Sequence, residues 1–151
     1  MAAVSQASAI VVRRARAADV AALTRLAGEL GDASEEAQMK RRFARVTSDT
    51  QNRVFVAEDS DSNVIGWVQV RCSRELAVEP RGEVTGLIVT SAARGRGAGR
   101  QLMEVAELWT KQQGGSLLSL RSNIVRKEAH VFYERLGYTV TKTSLNFSKL
   151  L

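Results

Sequence analysis

The sequence predicts a mixed α/β (α+β) fold, a sheet flanked by helices, and three observations carry that expectation. Apolar residues switch between period-two and helical spacing in the order β α α β β β α β α β(β). In mid-chain a strand, a glycine loop, a helix and a further strand follow one another, and such a crossover places two strands parallel. The strands before that crossover are joined by the short turn Asp59 to Asn63, DSDSN, and should pair antiparallel.

The elements are justified in turn. Residues 1–8 are small and polar and are expected to fray. The first 18 residues hold three arginines and no acid, a faint likeness to a mitochondrial transit peptide. The competing reading makes Ala9 to Arg14 a strand, with Asp19 capping the helix that follows. Val20, Leu23, Leu26, Ala27 and Leu30 then share a helical stripe that Gly31 stops. Ser34 offers the next N-cap, Glu35 and Glu36 suit the positive helix start, and Met39, Phe43 and Val46 line one face. Thr47 to Asn52 reads as a loop, Arg53 to Glu58 and Val64 to Cys72 as a hairpin, and Ser73 to Gly82 as a connection. Glu83 to Thr90 is a third strong strand. Gly97 to Gln113 reads as a helix, with Leu102, Val105, Ala106 and Trp109 on one side, and Gly114 and Gly115 end it. Ser116 to Ser122 is a strand and Lys127 to Leu136 a helix closed by Gly137. Tyr138 to Leu151 is expected to add one or two final strands.

The chain has 151 residues and no linker, repeat or low-complexity tract, which suggests one domain over 1–151. A balance of 44% hydrophobic and 25% charged residues argues against disorder. The single cysteine, Cys72, excludes an internal disulfide framework, and with the single histidine it leaves little for a metal site. No apolar run approaches the roughly 20 residues of a membrane span. The expected location is the cytoplasm. A formal charge of +6 asks for an anionic partner without naming it.

That charge concentrates where the glycines do. Arg94-Gly95-Arg96-Gly97-Ala98-Gly99-Arg100 joins a strand to a helix start, and no acid occurs from Val84 to Met103. Glycines let backbone approach a ligand, and a helix N-terminus presents unpaired N–H groups. Together they suggest a phosphate or pyrophosphate cradle; the alternative is a tight turn with solvated arginines. A P-loop is excluded because no Lys-Ser/Thr pair follows the glycines. A dinucleotide fingerprint fails in both registers, since Arg100 or Leu102 stands where its third glycine belongs.

Arg94-x-x-Gly97-x-Gly99 matches the [QR]-x-x-G-x-[GA] signature of the GCN5-related N-acetyltransferases (GNAT). The preceding Leu87-Ile88-Val89-Thr90, the tail Ala129-His130-Val131-Phe132-Tyr133-Glu134-Arg135-Leu136-Gly137-Tyr138 and the element order also resemble that family, over roughly Ile10 to Leu151. Ser91 departs from it, standing where proline is frequent. The resemblance implies a mostly antiparallel sheet of six to seven strands with about four helices and a V-shaped splay between strands 4 and 5. It implies acetyl-CoA as cosubstrate, no metal, and acetyl transfer to a primary amine by direct attack in a ternary complex. Backbone from Arg96 through Gly97, Ala98 and Gly99 to Arg100 would then hold the pyrophosphate, with charge from Arg94, Arg96 and Arg100 and Gly95 in the same loop. Leu87, Ile88 and Val89 would pair with the pantetheine arm, and the Val89 N–H would polarise the thioester carbonyl. Asn123 resembles the family asparagine that contacts pantetheine or acceptor; a strand-end cap is its other reading. Tyr133 stands where the family's tyrosine protonates the departing thiolate, and it also lies on an apolar helix stripe.

The base is less determined. Glu83 lies where several relatives place a glutamate acting through water, but a strand-start glutamate is commonly a solvated charge. Glu79, on the preceding connection, and His130, one turn before Tyr133, are further candidates. For the acceptor, Glu29, Asp32, Glu35 and Glu36 would attract a cationic amine, while Lys40, Arg41, Arg42 and Arg45 reverse the local sign. A small molecule is favoured over a protein lysine or N-terminus because no further recognition domain is present. Relatives are often dimers, which suggests a homodimer. A non-catalytic acyl-CoA sensor is the next alternative. A nucleic-acid-binding module ranks last, because no aromatic residue interleaves the basic loop.

Overall fold

The computed structural model describes residues 9–151. The expectations for 1–8 lie outside the described residues. The chain divides into two compact units, Met1–Arg121 and Ser122–Leu151.

The first unit carries one five-stranded sheet in the order β1 (Val11–Arg14), β2 (Asn52–Glu58), β3 (Val64–Glu75), β4 (Val78–Val89) and β5 (Leu118–Leu120). The first three pairings are antiparallel and β4–β5 is parallel, as the crossover predicts. Helices α1 (Val20–Glu29) and α2 (Glu36–Ser48) connect β1 to β2, and α3 (Ala98–Gln112) connects β4 to β5. On one face Leu23 and Leu26 of α1 form a core with Val54, Val56, Val64 and Ile88, and Met39, Phe43 and Trp67 pack against it. On the other face α3 presents Leu102, Met103 and Ala106, all with no exposed surface. Gly66 is what lets α3 approach: a Cβ there would sit 2.8 Å from the Ile88 carbonyl oxygen and 3.3 Å from Leu102.

Several expectations are corrected. Asp19 stands at the N-cap position of α1 but makes no side-chain cap bond; it ends a short 3-10 turn, and its carboxylate accepts two 2.8 Å bonds from the Arg13 guanidinium. Arg13 also pairs with Glu58, which ties β1 to β2. The N-cap of α2 is Glu35, through a capping box with Gln38, because the Ser34 hydroxyl is spent on Asp32. Thr47 and Ser48 belong to α2. The connection containing Pro80 is instead the far end of a long β3–β4 ribbon that turns near Leu76. Pro80 is tolerated there because β5 begins pairing only at Gly82, so the outer side of β4 at Pro80 is an edge.

The sheet has five strands, not six or seven. The second unit contains α4 (Lys127–Arg135), and residues 139–151 form neither helix nor strand. A strand needs a ladder partner, and no other strand lies within that unit. Val140, Leu145 and Phe147 keep the alternating pattern but stay exposed.

Candidate active site

The opening lies along β4. β5 pairs with it only from Gly82 to Val84, so Thr85 to Val89 have no β5 partner. A bulge at Thr85 shifts the register with β3, from Val70↔Val84 to Gln69↔Gly86. Thr90 donates to the Ile65 carbonyl at 2.8 Å. Antiparallel pairing alternates, so Ile88 faces β3 while the N–H groups of Leu87 and Val89 face the open edge. The Ile88 side chain is in the core, and those of Leu87 and Val89 are half-buried.

After β4 the chain makes a short 3-10 turn over Ser91–Ala93 and enters the glycine loop. Gly95 and Gly97 have φ of +80° and +87°, left-handed conformations that disfavour other residues. A Cβ at either would meet nothing within 4 Å. Gly97 is the N-cap of α3, with no side-chain cap and no acid in the first turn. The first N–H groups of α3, on Ala98, Gly99 and Arg100, therefore point outward beside exposed Arg94, Arg96 and Arg100. Arg100 also pairs with Glu104 at 3.1 Å.

Glu29, at the end of α1, accepts the Thr90 hydroxyl at 2.7 Å and the Ser91 N–H at 3.1 Å. These bonds lower its pKa and fix the exit of β4. Glu29 is thus a positioning group for the loop rather than a free attractor of amines. No local motif marked it, since the contact spans 61 residues.

Glu83 sits opposite Arg71 on β3, and both its oxygens are engaged, by Arg71 at 2.9 Å and by Arg121 at 3.5 Å. Arg71, Gln69 and Trp67 share a face of β3, so Glu83 lies on the α1–α2 face of the sheet. Glu79 is exposed on the free end of β4. Cys72 is buried, which raises its thiol pKa and suits a structural role.

On that same face α1, α2 and the sheet enclose a cavity of about 470 Å³. Leu23, Met39, Phe43, Val46 and Trp67 supply apolar wall, and Thr85 and Gly86 bring the unpaired stretch of β4 into it. The Thr47–Asn52 segment does not line it. Trp67 is a residue the sequence reading missed. Its ring lies over Gly86, where a Cβ would come within 2.7 Å, and a glycine inside a strand is the signal for such a close approach.

In the second unit Tyr133 is half-buried, with edge-on ring contacts to Phe132 at 5.2 Å and Tyr138 at 6.3 Å. Burial raises its pKa, so the phenol stays protonated at neutral pH. The Asn123 side chain accepts the Val125 N–H at 3.1 Å, and its carbonyl accepts from Nε2 of His130 at 2.9 Å. Asn123 is therefore a loop cap, and the His130 ring is held by that loop. Among the described residues no cluster of histidine, cysteine or carboxylate side chains could hold a metal, and no helix is long and apolar enough to cross a membrane.

A mixed sheet that opens beside its fourth strand, followed by a glycine loop at a helix start, defines an acyltransferase-type architecture. Residues 50–140 match the family model "Acetyltransferase (GNAT) domain", and the chain belongs to that family. It is 27% identical over 145 residues to the aminoglycoside N(6')-acetyltransferase type 1 of Stenotrophomonas maltophilia, covering 93% of this chain and 94% of that one. It is 30% identical over 112 residues to the 5-NmdU N-acetyltransferase of Pseudomonas phage PaMx11, covering 68% of this chain and 77% of that one. Among solved structures, aminoglycoside N-acetyltransferase AAC(6')-Iy in complex with CoA superposes with a TM-score of 0.85 at 16% identity, covering 97% of this chain and 98% of that one.

Proposed function

We propose that this chain transfers the acetyl group of acetyl-CoA to a primary amine of a small molecule, by direct attack in a ternary complex. The observation that carries the reading is the uncapped start of α3, with open space at Gly95 and Gly97, directly following a strand whose outer edge is free. These residues fit the coenzyme: a loop with glycine at 95, 97 and 99, three outward N–H groups and three guanidiniums suit a pyrophosphate. When bound, acetyl-CoA supplies an acyl group activated as a thioester.

In this reading the backbone of Arg96 to Arg100 binds the phosphates, and Arg94, Arg96 and Arg100 supply positive charge. Leu87 and Val89 offer their outward peptide groups to the pantetheine arm, and Val89 N–H donates to the carbonyl oxygen as charge develops there. Tyr133 holds the proton for the leaving thiolate; burial keeps its phenol protonated at neutral pH. Glu83 takes the amine proton through water, with Arg71 and Arg121 fixing its carboxylate. Asn123 shapes the loop leading to α4 through its bond to Val125.

The test is thiol release from acetyl-CoA across a panel of amines, with Tyr133→Phe as comparison. The reading expects amine-dependent thiol release by the native chain. In the variant it expects a chemical step slower by about 10²-fold or more at nearly unchanged CoA affinity. Equal turnover by the two proteins removes Tyr133 from the mechanism, and CoA binding without thiol release for any amine favours a sensor.

A further inference from the structure

The cavity between α1, α2 and the sheet carries a charge pattern that suits a different amine from the aminoglycosides in its relatives' names. Its ionisable lining consists of Arg42, Arg45 and Asp32. Asp32 is already committed, accepting from Ser34 and from Arg42 at 3.2 Å, and these bonds lower its pKa. Arg42 in turn donates to the Ser34 hydroxyl at 2.6 Å. The Arg45 guanidinium makes no ion pair among the described residues. The cavity thus carries one uncompensated positive charge and no free carboxylate. A polycation entering it would meet a guanidinium and find no acid to pair with.

The remaining wall is mostly apolar and partly aromatic, from Phe43, Trp67, Met39 and Val46, with Gln69 and Thr85 as its polar groups. The indole N–H of Trp67 is buried and has no acceptor among the described residues. Thr85 and Gly86 connect this wall to the free stretch of β4, so a ligand seated here lies along the strand that ends at Val89.

We infer that the acceptor is an amine with an apolar or aromatic body and an anionic oxygen group, a carboxylate or a phosphonate, which Arg45 recognises. The inference rests on the transferase reading above for the amine's role, but the cavity's charge is independent of catalysis. The test therefore has two readouts. Phenylalanine, 2-phenylethylamine, 2-aminoethylphosphonate, spermidine and kanamycin are titrated calorimetrically into the protein saturated with CoA, and thiol release from acetyl-CoA is measured with each.

Phenylalanine should bind about tenfold more tightly than 2-phenylethylamine, the same body without the carboxylate, and spermidine and kanamycin more weakly than either. 2-Aminoethylphosphonate, which has the anion but no apolar body, should bind more weakly than phenylalanine. Arg45→Ala should erase the preference for phenylalanine while leaving 2-phenylethylamine unchanged. Tighter binding of spermidine or kanamycin, or a preference that survives Arg45→Ala, overturns the inference. The expected binding order without thiol release supports the inference and overturns the transferase reading. Thiol release fastest with the polycations does the reverse, and no binding by any amine overturns both.

Discussion

A glutamate at Gly97 separates the coenzyme cradle from the fold it sits in. Gly97 has φ +87°, where an L side chain costs roughly 1–2 kcal/mol. A Cβ there meets no atom within 4 Å, so no clash is added. The new carboxylate lies at the start of α3, where the helix dipole returns about 0.3–1 kcal/mol. The net cost is about 1 kcal/mol, a fall in Tm of roughly 2–4 °C for a chain of this size. Coenzyme binding suffers more. Losing one charge-assisted hydrogen bond to a phosphate costs about 1.5–3 kcal/mol. Repulsion between the carboxylate and a phosphate nearby adds about 1–4 kcal/mol, according to how far water screens it. The sum is a loss of affinity of at least about 10²-fold. Gly97→Ala is the control, with the same strain and no charge; without the dipole term its Tm should fall by as much or slightly more, and its affinity by about tenfold or less. Calorimetric titration with CoA and a thermal melt measure both quantities. Intact CoA affinity in Gly97→Glu refutes the phosphate assignment, and a Tm loss well beyond that of Gly97→Ala assigns the effect to folding.

Further predictions concern the base, an ion pair and the core. Glu83→Gln should slow turnover by about tenfold or more at unchanged CoA affinity and unchanged melting temperature; a matching loss of thermal stability makes Glu83 a structural partner of Arg71 and Arg121. Asp19→Ala should destabilise the chain by about 1–3 kcal/mol at pH 7, since the Arg13 guanidinium loses its main partner and keeps only Glu58. The Arg13 bonds depress the folded pKa of Asp19, so this stabilisation is present above the unfolded value near 4 and fades as pH falls through the lower folded value. Denaturation melts of both proteins should converge at low pH, and a constant difference would contradict the assignment. Leu26→Ala, at a side chain with no exposed surface between α1 and the sheet, should cost about 2–5 kcal/mol in chemical denaturation.

The parts legible in the sequence were those coded locally. Strand alternation through Val64 to Cys72, the helical stripe from Leu102 to Trp109 and the glycine–arginine loop each sit within a short window, and the structure forms all three. Helix starts were less legible, because Asp19 and Ser34 have the right chemistry for caps but are claimed by Arg13 and Asp32. The long β3–β4 ribbon was hidden by Pro80, whose cost depends on whether a neighbouring strand needs its N–H. The final strands were overcalled, since alternation in Leu145 and Phe147 says nothing about a ladder partner. In the candidate site, the loop and β4 could be read from motif and order. The ties of Glu29 to Thr90 and of Glu83 to Arg121, and the seat of Trp67 on Gly86, arise from residues far apart in the chain and needed the fold.

The central claim is transfer of an acetyl group to an amine, and the most direct measurement is the stoichiometry of that transfer. The purified chain is incubated with acetyl-CoA and the amine that releases thiol fastest, and free thiol and N-acetylated amine are quantified together, the amine by mass spectrometry. The account predicts equal amounts of the two, no acetylated form of the protein during turnover, and negligible thiol without amine. Thiol release that is independent of the amine, or acetyl groups found on the protein instead of the amine, would contradict it.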